Sequence, residues 1–68
     1  MKLSARNILK GTVTDVKKGS TTAHVKLDVG GQIVTAAITN EAVDELKLRN
    51  GQAAYAVIKA SDVMITTD

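Results

Sequence analysis

From Thr22 to Val29 this chain alternates apolar and polar residues, with Ala23, Val25, Leu27 and Val29 set against Thr22, His24, Lys26 and Asp28. A period of two puts the first set on one face of a strand and the second on the other, so the segment reads as half-buried β-structure. Gly30-Gly31 follows, and then the run Gln32 to Ile38, rich in β-branched and small apolar residues. Two glycines reach the positive φ angles of a tight turn without steric cost, which makes the two runs a β-hairpin. The rest of the fold must be built around that hairpin.

An earlier strand is expected over about Leu9 to Lys17, where the spacing of Val13 and Val16 breaks the period of two and signals a β-bulge. Lys18-Gly19-Ser20 turns it into the hairpin. After the hairpin, Asn40 is expected to cap a short helix whose first turns carry Glu41 and Asp44 and whose apolar side is Val43 with Leu46. Asn50-Gly51 closes that segment, and two further strands are expected near Gln52 to Lys59 and Val63 to Thr66. Three strands, a helix and two strands are the order of a mainly β, five-stranded OB-type barrel with one short helix between strands 3 and 4. A small open sheet with one covering helix is the alternative.

The 68 residues make a single domain over 1–68, and a lone domain of this size buries only about 60% of its unfolded surface. The third and fourth strands carry apolar residues on both faces: Val34, Ala36 and Ile38 opposite Ile33 and Ala37, then Ala54, Ala56 and Ile58 opposite Ala53, Tyr55 and Val57. One small monomer cannot cover both sides of two strands, so a homo-oligomer is expected.

Several function classes are disfavoured by composition. There is no cysteine, which excludes disulfides and thiolate metal sites and makes a cytoplasmic setting the default. No apolar run reaches the length of a signal peptide or a membrane span. The net charge of +2 comes from nine bases interspersed with seven acids, a poor grip for nucleic acid, and the lone aromatic, Tyr55, is a poor stacking platform for single strands. His24 has no second ligand at metal spacing. No catalytic constellation is present, so the chain does not read as an enzyme.

What remains is chemistry at the two ends. Ser4-Ala5-Arg6-Asn7 and Lys59-Ala60-Ser61-Asp62-Val63-Met64 each place a cation beside a hydroxyl next to an apolar strand. Guanidinium, ammonium, hydroxyl and backbone N–H groups all donate hydrogen bonds, so a pocket lined with them favours a fully deprotonated oxyanion. These two strings resemble the paired signatures of the molbindins, small proteins that bind molybdate and tungstate. The resemblance brackets almost the whole chain. It implies a hexamer built as a trimer of dimers, an OB-type subunit, no cofactor, and a storage or homeostatic role for molybdenum.

On that resemblance Arg6 offers a planar pair of donors to one edge of the anion, Ser4 a hydroxyl, and Lys59-Ala60-Ser61 an ammonium, a hydroxyl and successive backbone N–H groups. The main sites are implied to lie between subunits, with Ser4 and Arg6 of one chain facing Lys59 and Ser61 of another. Asn7 either joins them or holds the turn through its own backbone. Asp62 orients a donor or fixes the turn, while Val63 and Met64 are read as core. Thr39 is divided between helix cap and ligand. Family members commonly place a hydroxyl three residues further on, where this chain has Ala42. Gly19 and Ser20 form an ordinary hairpin loop that the resemblance also implies as a second anion site near a threefold axis. An OB-type module for single-stranded nucleic acid is the reading from another class.

Overall fold

The alternating run is a strand over Thr22–Val29, and it buries Ala23, Val25 and Leu27 while exposing Thr22, His24 and Lys26. This computed structural model describes residues 2–68. In chain order the elements are β1 (Asn7–Lys18), β2 (Thr22–Val29), β3 (Gln32–Thr39), α1 (Asn40–Leu46) and β4 (Ala53–Ile58), followed by a 3₁₀ turn at Ala60–Asp62. The four strands form one antiparallel sheet in the order β3-β2-β1-β4.

The hairpin closes as the glycines require. Val29 pairs with Gln32, leaving Gly30 at φ 59° and Gly31 at φ 93° to make the loop, and the Gly31 N–H donates to Asp28 Oδ1 at 2.8 Å. The broken period in β1 is a bulge. Val13 pairs with Leu27 but Asp15 with Lys26, so Thr14 is the extra residue.

Long β1 changes partner along its length. Asn7 to Thr12 pair with β4, and Thr12 to Lys18 pair with β2. Gly11 sits at that changeover, where a Cβ would run into the Asp28 carbonyl oxygen and lie 2.9 Å from Val29 Cγ2. Only glycine lets the two strands approach so closely there.

The helix is capped one residue earlier than expected. Thr39, not Asn40, is the N-cap, with Oγ1 accepting from the Ala42 N–H at 3.0 Å. Asn40 instead bonds backward, its N–H to the Thr21 carbonyl and Nδ2 to the Gly19 carbonyl. Val43 enters the core, but Leu46 remains 61% exposed, because the helix ends at once in Lys47, whose φ of 53° turns the chain away. Asn50-Gly51 thus closes the loop after the helix rather than the helix, with the Gly51 N–H donating to the Val13 carbonyl.

The fifth strand does not form within the chain. Val63 to Thr66 lies outside every ladder, beyond the 3₁₀ turn, where the Asp62 and Val63 N–H groups bond back to Lys59 and Ala60. A strand needs a partner edge and this segment meets none. Val63 and Met64, expected in the core, are therefore exposed, Met64 at 92%. The result is an open four-stranded sheet with one helix, not a closed five-stranded barrel.

That opening has a shape. The edge strands β3 and β4 line an apolar groove of about 680 Å³ together with Val13, Val25 and Leu27 from the middle of the sheet. Core burial is correspondingly small, resting on Val13, Ala23, Val25, Leu27 and Val43. Apolar side chains also stay exposed along these strands, including Ile33, Tyr55 and Val57, the last two at the groove itself. No described helix is long and apolar enough to cross a membrane.

Candidate functional site

The β1·β4 register decides where the end strings go. Asn7 pairs with Ile58, so Ser4-Ala5-Arg6 runs into that end of the sheet and Lys59-Ala60-Ser61 leaves it at the same place. Two strings more than 50 positions apart in sequence thereby emerge side by side in one chain. Asn7 helps fasten the junction, donating from Nδ2 to the Ile58 carbonyl at 3.2 Å. This bond crosses to the neighbouring strand rather than closing a local turn.

Ser4, Arg6, Lys59, Ala60 and Ser61 are all exposed, and among the described residues none of their side chains makes a hydrogen bond. The ion pair found among those residues joins Lys18 to Asp44, elsewhere on the molecule. Two cations and two hydroxyls with uncommitted donors therefore share one end of the sheet. Asp62 follows them in the 3₁₀ turn, where its backbone N–H donates to the Lys59 carbonyl at 2.9 Å. It fixes the turn through its backbone.

Thr39 lies at the other end. It pairs with Thr22, just past the Lys18 end of β1, and its hydroxyl oxygen accepts the capping bond. Gly19 and Ser20 lie beside it, since Asn40 holds the Gly19 and Thr21 carbonyls. The Asn40 Oδ1 is buried there without a partner. The chain thus separates its candidates into two groups, the end strings at the start of β1 and Thr39 with Gly19 and Ser20 at its finish. Only a second chain can bring Thr39 to the end strings.

The groove is not part of either group. Its lining is aliphatic apart from Thr35, Gln52 and Tyr55, and a dianion placed there would lose its hydration without compensating donors. No cluster of His, Cys, Asp and Glu suited to a metal ion occurs among the described residues.

The TOBE domain model matches residues 3–65. This chain belongs to the TOBE domain family. Molybdenum-pterin-binding protein 1 of Clostridium pasteurianum is 48% identical over 66 residues, covering 96% of this chain and 97% of that protein. Among solved structures, a molybdate-binding protein from Sporomusa ovata superposes with a TM-score of 0.94 at 36% identity, covering 98% of this chain and all of that one. The cytoplasmic molybdate-binding protein ModG, solved with molybdate bound, gives a TM-score of 0.90 at 51% identity over 94% of this chain. This chain spans 46% of ModG. The likeness of the two end strings to the molbindins thus extends through the whole TOBE domain.

Sequence reasoning identified the donor types but missed Asn40 as the clamp on the Gly19 to Thr21 loop. Asn before an amphipathic segment looks like a cap, and only the long-range contacts reveal its actual bonds.

Proposed function

We propose that this protein binds molybdate, and tungstate by the same chemistry, through Ser4, Arg6, Asn7, Lys59, Ala60 and Ser61. The observation that carries this reading is the Asn7 to Ile58 pairing, which collects two cations and two hydroxyls at one sheet end with their donors uncommitted. A doubly charged tetrahedral oxyanion accepts at every corner and matches such a set. The relatives named as binding molybdate or molybdenum-pterin support the ligand class. We assign the bare oxyanion rather than a pterin adduct because the chain's one aromatic, Tyr55, which could stack on a pterin ring, sits within β4 opposite Lys10 and not in either end string.

The assembly follows from the same residues. A homo-oligomer, in the molbindin manner a hexamer made as a trimer of dimers, covers the apolar faces of β3 and β4 and lets Thr39 of one chain approach the end strings of another. Gly19 and Ser20 supply a second class of site. The role is binding rather than catalysis, as a cytoplasmic store or buffer of molybdenum.

Selectivity is the test. Hydrogen phosphate carries a proton that needs an acceptor, which a Ser4 or Ser61 hydroxyl or the Asn7 amide oxygen supplies only by turning from its donor role, so it is disfavoured; sulfate has no proton and is discriminated by size alone. Isothermal calorimetry with molybdate, tungstate, sulfate and phosphate is expected to give saturable heat for the two metal oxyanions, weaker binding of sulfate and none of phosphate. Comparable binding of phosphate and molybdate would overturn the assignment.

A further inference from the structure

The loop between α1 and β4 carries a chemistry that the oxyanion site does not use. Asn50-Gly51 is the one Asn-Gly pair in the chain. Asn50 is exposed, and its side chain makes no hydrogen bond among the described residues. In such a pair the glycine nitrogen can attack the Asn side-chain amide, since glycine has no Cβ to obstruct the approach.

The native turn holds that nitrogen out of reach. The Gln52 N–H donates to the Arg49 carbonyl at 3.3 Å, Gly51 has a φ of 87°, and Asn50, unlike Lys47, keeps a negative φ. These are the features of a type II turn, in which the residue at the Asn50 position has a ψ of about +120°. Ring closure requires the Gly51 N to eclipse the Asn50 Cβ about the Cα–C bond, and that ψ keeps the two well apart. Further bonds fasten the turn in this state. The Gly51 N–H donates to the Val13 carbonyl at 2.8 Å, the Val13 N–H to the Gln52 carbonyl at 2.9 Å, and the Arg49 N–H to Gln52 Oε1 at 3.0 Å. Val13 is 1% exposed, so the turn is anchored in the core.

We propose that Asn50 is a site of spontaneous deamidation and isoaspartate formation, closed in the native fold by the Val13 and Gln52 bonds and released when the loop opens from β1. In the opened loop the Gly51 N gives its proton to solvent and bonds to Asn50 Cγ, the Cγ–Nδ2 bond breaks, and ammonia leaves. The product is a succinimide, which water opens in one of two ways. Addition at Cγ breaks its new bond to the Gly51 N and leaves an ordinary aspartate. Addition at the main-chain carbonyl carbon breaks its bond to the Gly51 N instead and leaves isoaspartate, whose main chain is longer by one carbon. The longer loop does not keep both Gly51 and Gln52 on Val13, so it fails to close again. The site thereby records, irreversibly, that the loop has opened. Nothing in this sequence of steps depends on an oxyanion being bound.

The full chain is incubated without molybdate at mildly alkaline pH, folded and, in parallel, unfolded in guanidinium chloride. Peptide mapping follows the conversion of Asn50, and enzymatic methylation counts isoaspartate. Conversion in the folded chain is expected to be slower by about tenfold or more, as it must await local opening. Equal rates, or no conversion in the unfolded chain, would overturn the proposal. Gln52→Ala removes the side-chain clamp on Arg49 and leaves the backbone bonds available; at a temperature where melting curves show it folded, it is expected to convert severalfold faster than the parent. An unchanged rate would overturn the gating, and the folded-to-unfolded ratio of the native chain tests it independently of how this variant folds. Asn50→Asp isolates the final step, because it carries the charge without the extra main-chain carbon. It is expected to melt within a few degrees of the parent, whereas the isoaspartate form, purified by chromatography, melts clearly lower. An isoaspartate form as stable as Asn50→Asp would show that the loop closes again and would overturn the irreversible record.

Discussion

Replacing both Arg6 and Lys59 with alanine is expected to lower molybdate affinity by about 100-fold or more. A hydrogen bond to a charged group is worth about 1.5–3 kcal/mol, so either single replacement costs roughly tenfold to over a hundredfold. The two residues act on one ligand, and their effects need not add. Arg6→Lys is expected to fall between the parent and Arg6→Ala, because it keeps the charge but loses the paired donors of the guanidinium. Both side chains are exposed and make no hydrogen bond among the described residues, so ligand-free melting temperature should stay within a few degrees of the parent. Calorimetry paired with melting curves separates lost binding from lost folding. Parent-like affinity in the double variant would remove the end strings from the site.

The largest effect on stability is expected at Gly11. Gly11→Ala places a methyl group against the Asp28 carbonyl oxygen, a backbone atom that cannot swing aside, so β1 and β2 must separate where their ladders meet. Overpacking of this kind costs about 1–3 kcal/mol, against a total of roughly 3–10 kcal/mol for a domain of this length. Melting temperature should fall by roughly 10–20 °C. Gly30→Asn is the matched control: nothing lies within 4 Å of a Cβ there, and Asn tolerates the turn's positive φ better than other side chains. A Gly11→Ala protein as stable as the parent would show that the corner relaxes freely.

These expectations separate what local sequence dictates from what it leaves open. The hairpin at Gly30-Gly31 and the bulge at Thr14 were legible because each is set by neighbours within a few residues. Gly11 gave no warning, since its constraint comes from Asp28 on another strand. The apolar, β-branched run from Val63 to Thr66 suited a strand, yet pairing depends on reaching an edge, and this segment pairs with neither β3 nor β4. For the same reason Val63 and Met64, apolar and therefore assigned to the core, are exposed.

The site divides along the same line. Ser4, Arg6, Lys59 and Ser61 were readable as donors from residue type, and their likeness to a known pair of strings connected them. Their meeting at one sheet end is a product of register, which one residue of slip would undo. Thr39 shows the converse. Its hydroxyl suits both a cap and a ligand, and the structure shows the cap while placing it beside Gly19 and Ser20, remote from the end strings.

Anomalous X-ray scattering from molybdenum in crystals of the molybdate-bound protein tests the central claim most directly. A strong peak is expected within hydrogen-bonding reach, about 2.7–3.2 Å from its oxygens, of the Arg6 guanidinium, the Lys59 ammonium and the Ser4 and Ser61 hydroxyls. A fully occupied peak elsewhere, with none between Arg6 and Lys59, would contradict it.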